Sequence, residues 1–190
     1  MADNSGVTHS YTSQVINLPI EKVYDFVTVP TNWIKLQLGT WKVHGPGGED
    51  DMEAVTRSMK PGEHFLEYMR VPNRFDFVGD WEVTVAERPH KWGFISRAWH
   101  GTSLPTVIEA IYTLEKIDDN TTRWSRHRTN TLRPGMQHSV DFLADKNDLE
   151  DEYQRIVKAY MEKGEPRETP HNPTEPHPRG WLDTLPVDKC

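Results

Sequence analysis

Cysteine is almost absent from this 190-residue chain, which has one, Cys190, at its last position. That excludes an internal disulfide and any cysteine-based metal cluster. Long apolar runs are missing too. Nowhere do 18 apolar residues follow one another, and the opening MADNSGVTHS has neither a basic nor an apolar stretch. Membrane spanning and secretion thus lose their usual signals, and a cytoplasmic protein without membrane contact is expected. Basic residues never gather into a block: 22 Lys and Arg are scattered among 29 Asp and Glu, for a formal net charge of −7. A nucleic-acid partner is not expected of such a pattern. Gly-x-x-x-x-Gly-Lys, Gly-x-Gly-x-x-Gly and Gly-x-Ser-x-Gly are all missing, which argues against nucleotide-dependent and serine-hydrolase chemistry. The nine histidines show no His-Glu-x-x-His or His-x-His spacing, and His171 and His177 fall in a proline-rich tail, so no metal site is expected. Repeats at solenoid periods are absent as well.

What is present is aromatic. Only 35% of residues are hydrophobic, but seven Trp, six Tyr and six Phe bring large area per side chain, enough to line an interior with few residues. A first strand is expected at 7–17, closed by Pro19. A helix follows from Pro19 through Val27, then a second short helix from Pro30 to Leu36, and a short strand around Trp41 and Val43. Beyond residue 50 the period is two. Strands are expected at 52–58, 63–71, 78–88, 91–100, 106–117 and 121–132, separated by turns such as Lys60-Pro61-Gly62, Arg88-Pro89-His90 and Asp118-Asp119-Asn120. From Gln137 to Lys163 neither proline nor glycine occurs, and Phe142, Leu149, Tyr153, Ile156 and Tyr160 fall on one stripe of a helix of roughly 40 Å. Residues 1–163 therefore read as one domain. Residues 164–190, with six prolines, read as a tail that builds no core of its own, although Trp181, Leu182 and Leu185 could dock on the body.

The order strand, two short helices, meander, long helix resembles that of the START/SRPBCC superfamily. Three stretches carry the likeness: Ile16-Asn17-Leu18-Pro19-Ile20-Glu21-Lys22-Val23-Tyr24-Asp25-Phe26 with Pro30-Thr31-Asn32-Trp33, Gly79-Asp80-Trp81-Glu82-Val83, and Tyr112-Thr113-Leu114-Glu115-Lys116 leading to Thr121-Thr122-Arg123-Trp124. The resemblance implies an α+β helix-grip fold, a curved antiparallel sheet of about seven strands around a long C-terminal helix. Its nearest flavour is the polyketide cyclase/dehydrase-like subgroup. It also implies a hydrophobic or amphipathic small molecule as partner, with a homodimer left open.

Alternation along strands gives an inward set. It contains Trp81, Val83 and Val85; Trp92, Phe94, Ser96, Ala98 and His100; Ile108, Ala110, Tyr112 and Leu114; and Trp124, followed by Arg126 and Arg128 if parity continues. A bulge after Trp124 would instead turn both arginines to solvent. Inward arginines need an acid or a ligand, and a helix carboxylate such as Asp145 or Glu152 could supply the acid. Trp33 and Trp41 read as structural. Two functions fit this interior. One is a cofactor-independent cyclase, dehydratase or isomerase acting on a polyketide-like, carbonyl-bearing metabolite. In it Arg126 or Arg128 stabilises an oxyanion, His100 moves the proton and Tyr112 orients the substrate, with Tyr68, Trp81, Phe94, Ser96, Ile108, Trp124 and Tyr153 as binding walls. The other is a non-catalytic carrier of a lipid, sterol or hormone-like molecule, which needs one anchoring group where a cyclase needs an oxyanion donor and a base. A protein-interaction module engaging a partner through the tail is a third reading.

Overall fold

The structure is a computed structural model that describes residues 6–36, 39–71, 75–100, 106–134 and 147–165. β1 (Val7–Ile16) leads into α1 (Ile20–Val27), a 3-10 turn at Pro30–Asn32, α2 (Trp33–Leu36) and β2 (Thr40–His44). A meander follows of β3 (His64–Val71), β4 (Phe75–Glu87), β5 (Lys91–His100), β6 (Thr106–Asp118) and β7 (Thr121–Leu132), and then comes α3 (Asn147–Lys163). The seven strands form one antiparallel sheet in the order β1-β7-β6-β5-β4-β3-β2. This is the helix-grip arrangement expected. The start of the last helix at Gln137, together with Phe142, Asp145 and the tail from 166, lies outside the described residues.

Pro19 ends β1 and opens α1, its carbonyl accepting from the Val23 N–H at 3.2 Å. Ile20, Val23, Tyr24 and Val27 form the buried stripe of α1 at helical spacing. Pro30 then restarts the chain and delivers Trp33 to the core, where its ring meets Phe65, Trp92 and Phe94. The strand expected at 52–58 is not formed. That segment holds only a 3-10 turn at Ala54–Thr56, with the Thr56 hydroxyl donating to Glu53 O at 3.0 Å and Val55 as its buried anchor. Met52, Ala54 and Val55, which all pack on the core, share no single period-two face, so a strand there has no face to bury.

Two bulges decide which side chains enter the interior. Val83 pairs with Phe94 but Val85 with Gly93, so Thr84 is an extra residue in β4 and Val85 turns to the outer face, contrary to simple alternation. Gly93 makes that approach possible, because a Cβ there would collide with Ile111 Cδ1 and sit 2.9 Å from Val85 Cγ1. In β5, Trp81 pairs with Ser96 and Asp80 with Ala98, leaving Arg97 as the extra residue. Beyond it parity is reversed, so Trp99, opposite Gly79, points inward and is buried.

The buried face of α3 also differs from the expected stripe. Glu150, Tyr153, Gln154 and Val157 are buried, whereas Ile156 and Tyr160 pack at the flank, Tyr160 stacking on Phe26 at 5.5 Å. The helix is tied to β1 and β7 by Gln14 Nε2 to Asp151 Oδ1 (3.0 Å), the Asn17 N–H to Glu162 Oε1 (2.6 Å), Lys158 to Val15 O and Gln154 Nε2 to Trp124 O (3.2 Å).

Candidate functional site

Register through β7 is unbroken from Thr122, opposite Ile16, to Thr131, opposite Val7. No bulge intervenes after Trp124, so Trp124, Arg126 and Arg128 share the inner face, the first of the two readings weighed above. Arg126 lies between Thr12 of β1 and Tyr112 of β6, and Arg128 between Ser10 and Ala110. Ser125, on the other face, bonds to Tyr11 and Ser13, and His127 stacks on His9 at 5.4 Å.

Both arginines meet one acid from α3. It is Glu150, not Asp145, which lies outside the described residues, nor Glu152, which is exposed. Arg126 Nη1 pairs with Glu150 Oε2, and Arg128 Nη1 donates to Glu150 Oε1 at 2.7 Å while its Nε donates to Asn130 Oδ1 at 3.0 Å. The Arg126 guanidinium also sits over the rings of Tyr112 (5.6 Å) and Tyr153 (5.2 Å), where the negative ring faces favour a cation. Burial works against both charges of the pair. Even so, the two guanidinium groups hold the Glu150 carboxyl below its usual range, and Glu150 keeps Arg126 firmly protonated. Burial pushes the Tyr112 phenol up to about 12 and the Tyr153 phenol well above its usual value, so both act as neutral O–H groups.

A second acid was not among the expected residues. Glu67 of β3 shares its face with Phe65 and is almost fully buried. Its Oε1 accepts from the Thr40 hydroxyl and its Oε2 from Trp81 Nε1–H at 2.9 Å. Burial raises its pKa to about 7, against the downward pull of those two bonds and of Arg126 and Arg128 acting through space. The signal was available: alternation applied to 63–71 puts Glu67 on the Phe65 face, an acid between Phe65 and Met69 where an apolar residue is the norm.

Of the expected site residues, Trp81, Phe94, Ile108, Tyr112, Trp124, Arg126, Arg128 and Tyr153 are brought together between the sheet and α3. Phe94 contacts Trp81 at 5.1 Å and Tyr112 at 5.8 Å, and Trp124 bridges Tyr112 and Tyr153 at 5.3 and 5.8 Å. Two are placed on the other face, and Ser96, opposite Trp81 on the inner face, has its hydroxyl engaged by the backbone. His100 lies across from Val78 on the face opposite to Trp99, because the Arg97 bulge reversed parity. Tyr68 is on the face of β3 opposite to Glu67, with its hydroxyl 2.7 Å from His44 Nε2; His44 Nδ1 donates to Gly45 O at 2.6 Å, so Nε2 is the acceptor for the phenol. Ser96 is buried, but its Oγ accepts from the Ile108 N–H at 2.8 Å and clasps the bulge.

Among the described residues no group of three or more His, Cys, Asp or Glu side chains could hold a metal ion, and no helix is long and apolar enough to cross a membrane. No family model matches the sequence. The chain is 31% identical over 160 residues to penitrem biosynthesis cluster 1 protein I of Penicillium ochrochloron, a match covering 80% of this chain and 97% of that protein. Among solved structures it is similar to StfQ, a di-domain ARO/CYC from the steffimycin biosynthetic pathway, with a TM-score of 0.58 and 13% identity over 82% of this chain. The match spans 45% of the length of StfQ. It is also similar to norcoclaurine synthase from Thalictrum flavum, with a TM-score of 0.56 and 10% identity over 82% of this chain and 87% of that one. At such identities the solved structures establish the fold alone.

Proposed function

Because the chain belongs to the family of penitrem biosynthesis cluster 1 protein I, within the helix-grip START/SRPBCC superfamily, we propose that it is a cofactor-independent biosynthetic enzyme. In this reading it cyclises, dehydrates or isomerises a polyketide-like, carbonyl-bearing metabolite between the sheet and α3, with residues 1–163 as the reacting domain. Support comes from the relative's place in a biosynthesis cluster and from the naming of StfQ as an ARO/CYC.

The observation that carries the proposal is Glu67, a buried acid whose proton is exchangeable near neutrality, acted on through space by the fixed cations Arg126 and Arg128. A carrier has no need of a group that titrates in its interior, whereas proton transfer is most effective when the pKa lies near the working pH. The Glu67 carboxylate takes a proton from the carbon next to a carbonyl. The resulting enolate oxygen is stabilised by Arg126, and by the Tyr112 hydroxyl as a neutral donor. The enolate carbon then attacks a second carbonyl to close a ring, or expels a β-hydroxyl. The proton held by Glu67 goes to the new alkoxide or to the departing hydroxide, which leaves as water. Trp81, Phe94, Ile108, Trp124 and Tyr153 shape the folded conformer of the chain that reacts.

The test begins with deletion of the gene in its source organism and identification of the metabolite that accumulates. Purified protein is expected to convert that compound with no added cofactor. Glu67→Gln should lower kcat at least 100-fold while leaving the dissociation constant within a few-fold. Tight binding of the compound without conversion by the unaltered protein would establish the carrier reading in its place.

A further inference from the structure

The charges of the interior do not balance, and the imbalance is set by one proton. Arg126 and Arg128 both turn inward from β7, and α3 answers them with Glu150 alone. With Glu67 ionised the interior is neutral; with Glu67 protonated it carries one positive charge. Several donor groups at the arginines also lack partners among the described residues: Arg126 Nε, Ser10 Oγ and Thr12 Oγ1, on side chains that are all more than nine-tenths buried. Buried donors left open in a native structure call for a ligand or water to satisfy them. Ser10 and Thr12 stand directly opposite Arg128 and Arg126 in the β1 register, so the open donors converge on the guanidinium pair.

Resting on the enzymatic reading above, we infer that the interior selects an apolar ligand held as a single negative charge, the enolate of a 1,3-dicarbonyl, and that Glu67 carries a proton while this anion is bound. The anion occupies the side of the guanidinium pair that Glu150 leaves open and accepts from Arg126 Nε, Ser10 and Thr12. Its charge replaces that of Glu67, and the interior stays neutral. Glu67 is bonded by Thr40 from β2 and Trp81 from β4 and acts through space on Tyr112 from β6 and with Arg126 and Arg128 from β7, while Glu150 and Tyr153 from α3 act on Arg126 in turn. Of these, the phenols lie well above neutrality and Glu150 below its usual range, which leaves Glu67 as the group that titrates between pH 6 and 8.

Two fluorescent probes of one shape test this. 8-Anilinonaphthalene-1-sulfonate is an anion at every pH of interest, and N-phenyl-1-naphthylamine is its neutral counterpart. Their dissociation constants for the full chain are measured from about pH 5.5 to 8.5. The anion's constant should rise by up to about tenfold per pH unit once Glu67 ionises, while that of the neutral probe stays within about twofold, as one-proton linkage requires. Calorimetric titration of the anion near pH 8, in two buffers of different ionisation enthalpy, should show uptake of close to one proton. Glu67→Gln should abolish both effects. Failure of the anion to bind, identical pH courses for the two probes, or proton uptake that persists in Glu67→Gln would overturn the inference. If the variant does not fold, the paired probes and the calorimetry on unaltered protein decide alone. Product formation plays no part in these titrations. A linked proton without turnover identifies a carrier of organic anions, whereas flat titrations with turnover intact remove this inference and leave the enzymatic reading.

Discussion

Trp81 and Glu67 face each other across β3 and β4, the indole Nε1–H donating to the carboxyl Oε2 at 2.9 Å, with Gly79 directly opposite Glu67 in the register. A Cβ on Gly79 would come within 2.8 Å of that indole nitrogen and 2.9 Å of Trp99 Cζ3. Both are wide rings packed against each other at 5.2 Å, so neither can swing away cheaply. Gly79→Ala should cost about 1–3 kcal/mol by overpacking, and Trp81→Ala about 3–5 kcal/mol through the void it leaves. Denaturant melts measure both; losses below about 1 kcal/mol would mean that this corner is loosely packed.

Glu67 also makes stability depend on pH. Its folded pKa of about 7 stands above the ordinary 4.5, so between those values the folded chain holds more protons than the unfolded one. The sign follows: stability is full below about pH 4.5 and falls as pH rises through 7, by about 3 kcal/mol from this group. In Glu67→Gln that decline should vanish, and the variant should be the more stable protein at pH 8. Parallel curves for the two proteins across urea melts from pH 5 to 8 would show that the acid is solvated.

Glu150 is the single acid for two buried cations, so Glu150→Gln should destabilise by about 3–5 kcal/mol, the usual result of stranding a buried charge. The arginines should separate. Arg126, with a side chain 9% exposed against 21% for Arg128, and enclosed by two rings, has no route to water. Arg126→Met should therefore couple to Glu150→Gln by more than Arg128→Met does in a double-mutant cycle on thermal stability.

His100→Ala should be silent. The histidine stands on the outer face, so melting temperature and kcat/KM on the converted metabolite should both stay within error of the unaltered protein. A drop in kcat alone would place the imidazole in the reaction after all.

The fold was legible because period-two runs and turn residues mark strands independently of where those strands pair. Expected limits such as 121–132 coincide with β7. Parity was legible only where the ladder is regular. Along β7 simple alternation puts Arg126 and Arg128 inside, as found, but along β5 it fails after Ser96. The cause there is a hydroxyl bonding to the backbone of another strand, which no local pattern records. The most buried face of α3 is turned away from part of the expected stripe for a related reason, although Tyr153 is buried and Ile156 and Tyr160 pack on the core. Glu150 and Gln154 are polar at buried positions because Arg126, Arg128 and the Trp124 carbonyl meet them, so the apolar residues alone traced a stripe turned toward Ile156 and Tyr160. Glu67 differs: its position follows from alternation, and only its partners required the tertiary structure.

The bulge at Arg97 reaches further than the turning of one histidine. Backbone pairing between β5 and β6 runs from Lys91 to Ile95 and ends there. Past that point the two strands are joined by side chains, Ser96 Oγ accepting from the Ile108 N–H and Trp99 Nε1 donating to Thr106 O at 2.9 Å. Among the described residues, two side-chain bonds thus stand where a backbone ladder would run, beside the Trp81 and Phe94 walls. Opening a seam of this kind breaks side-chain bonds and leaves the backbone ladders of the rest of the sheet paired, so the width of the interior at that end is adjustable separately from the pairing of the strands.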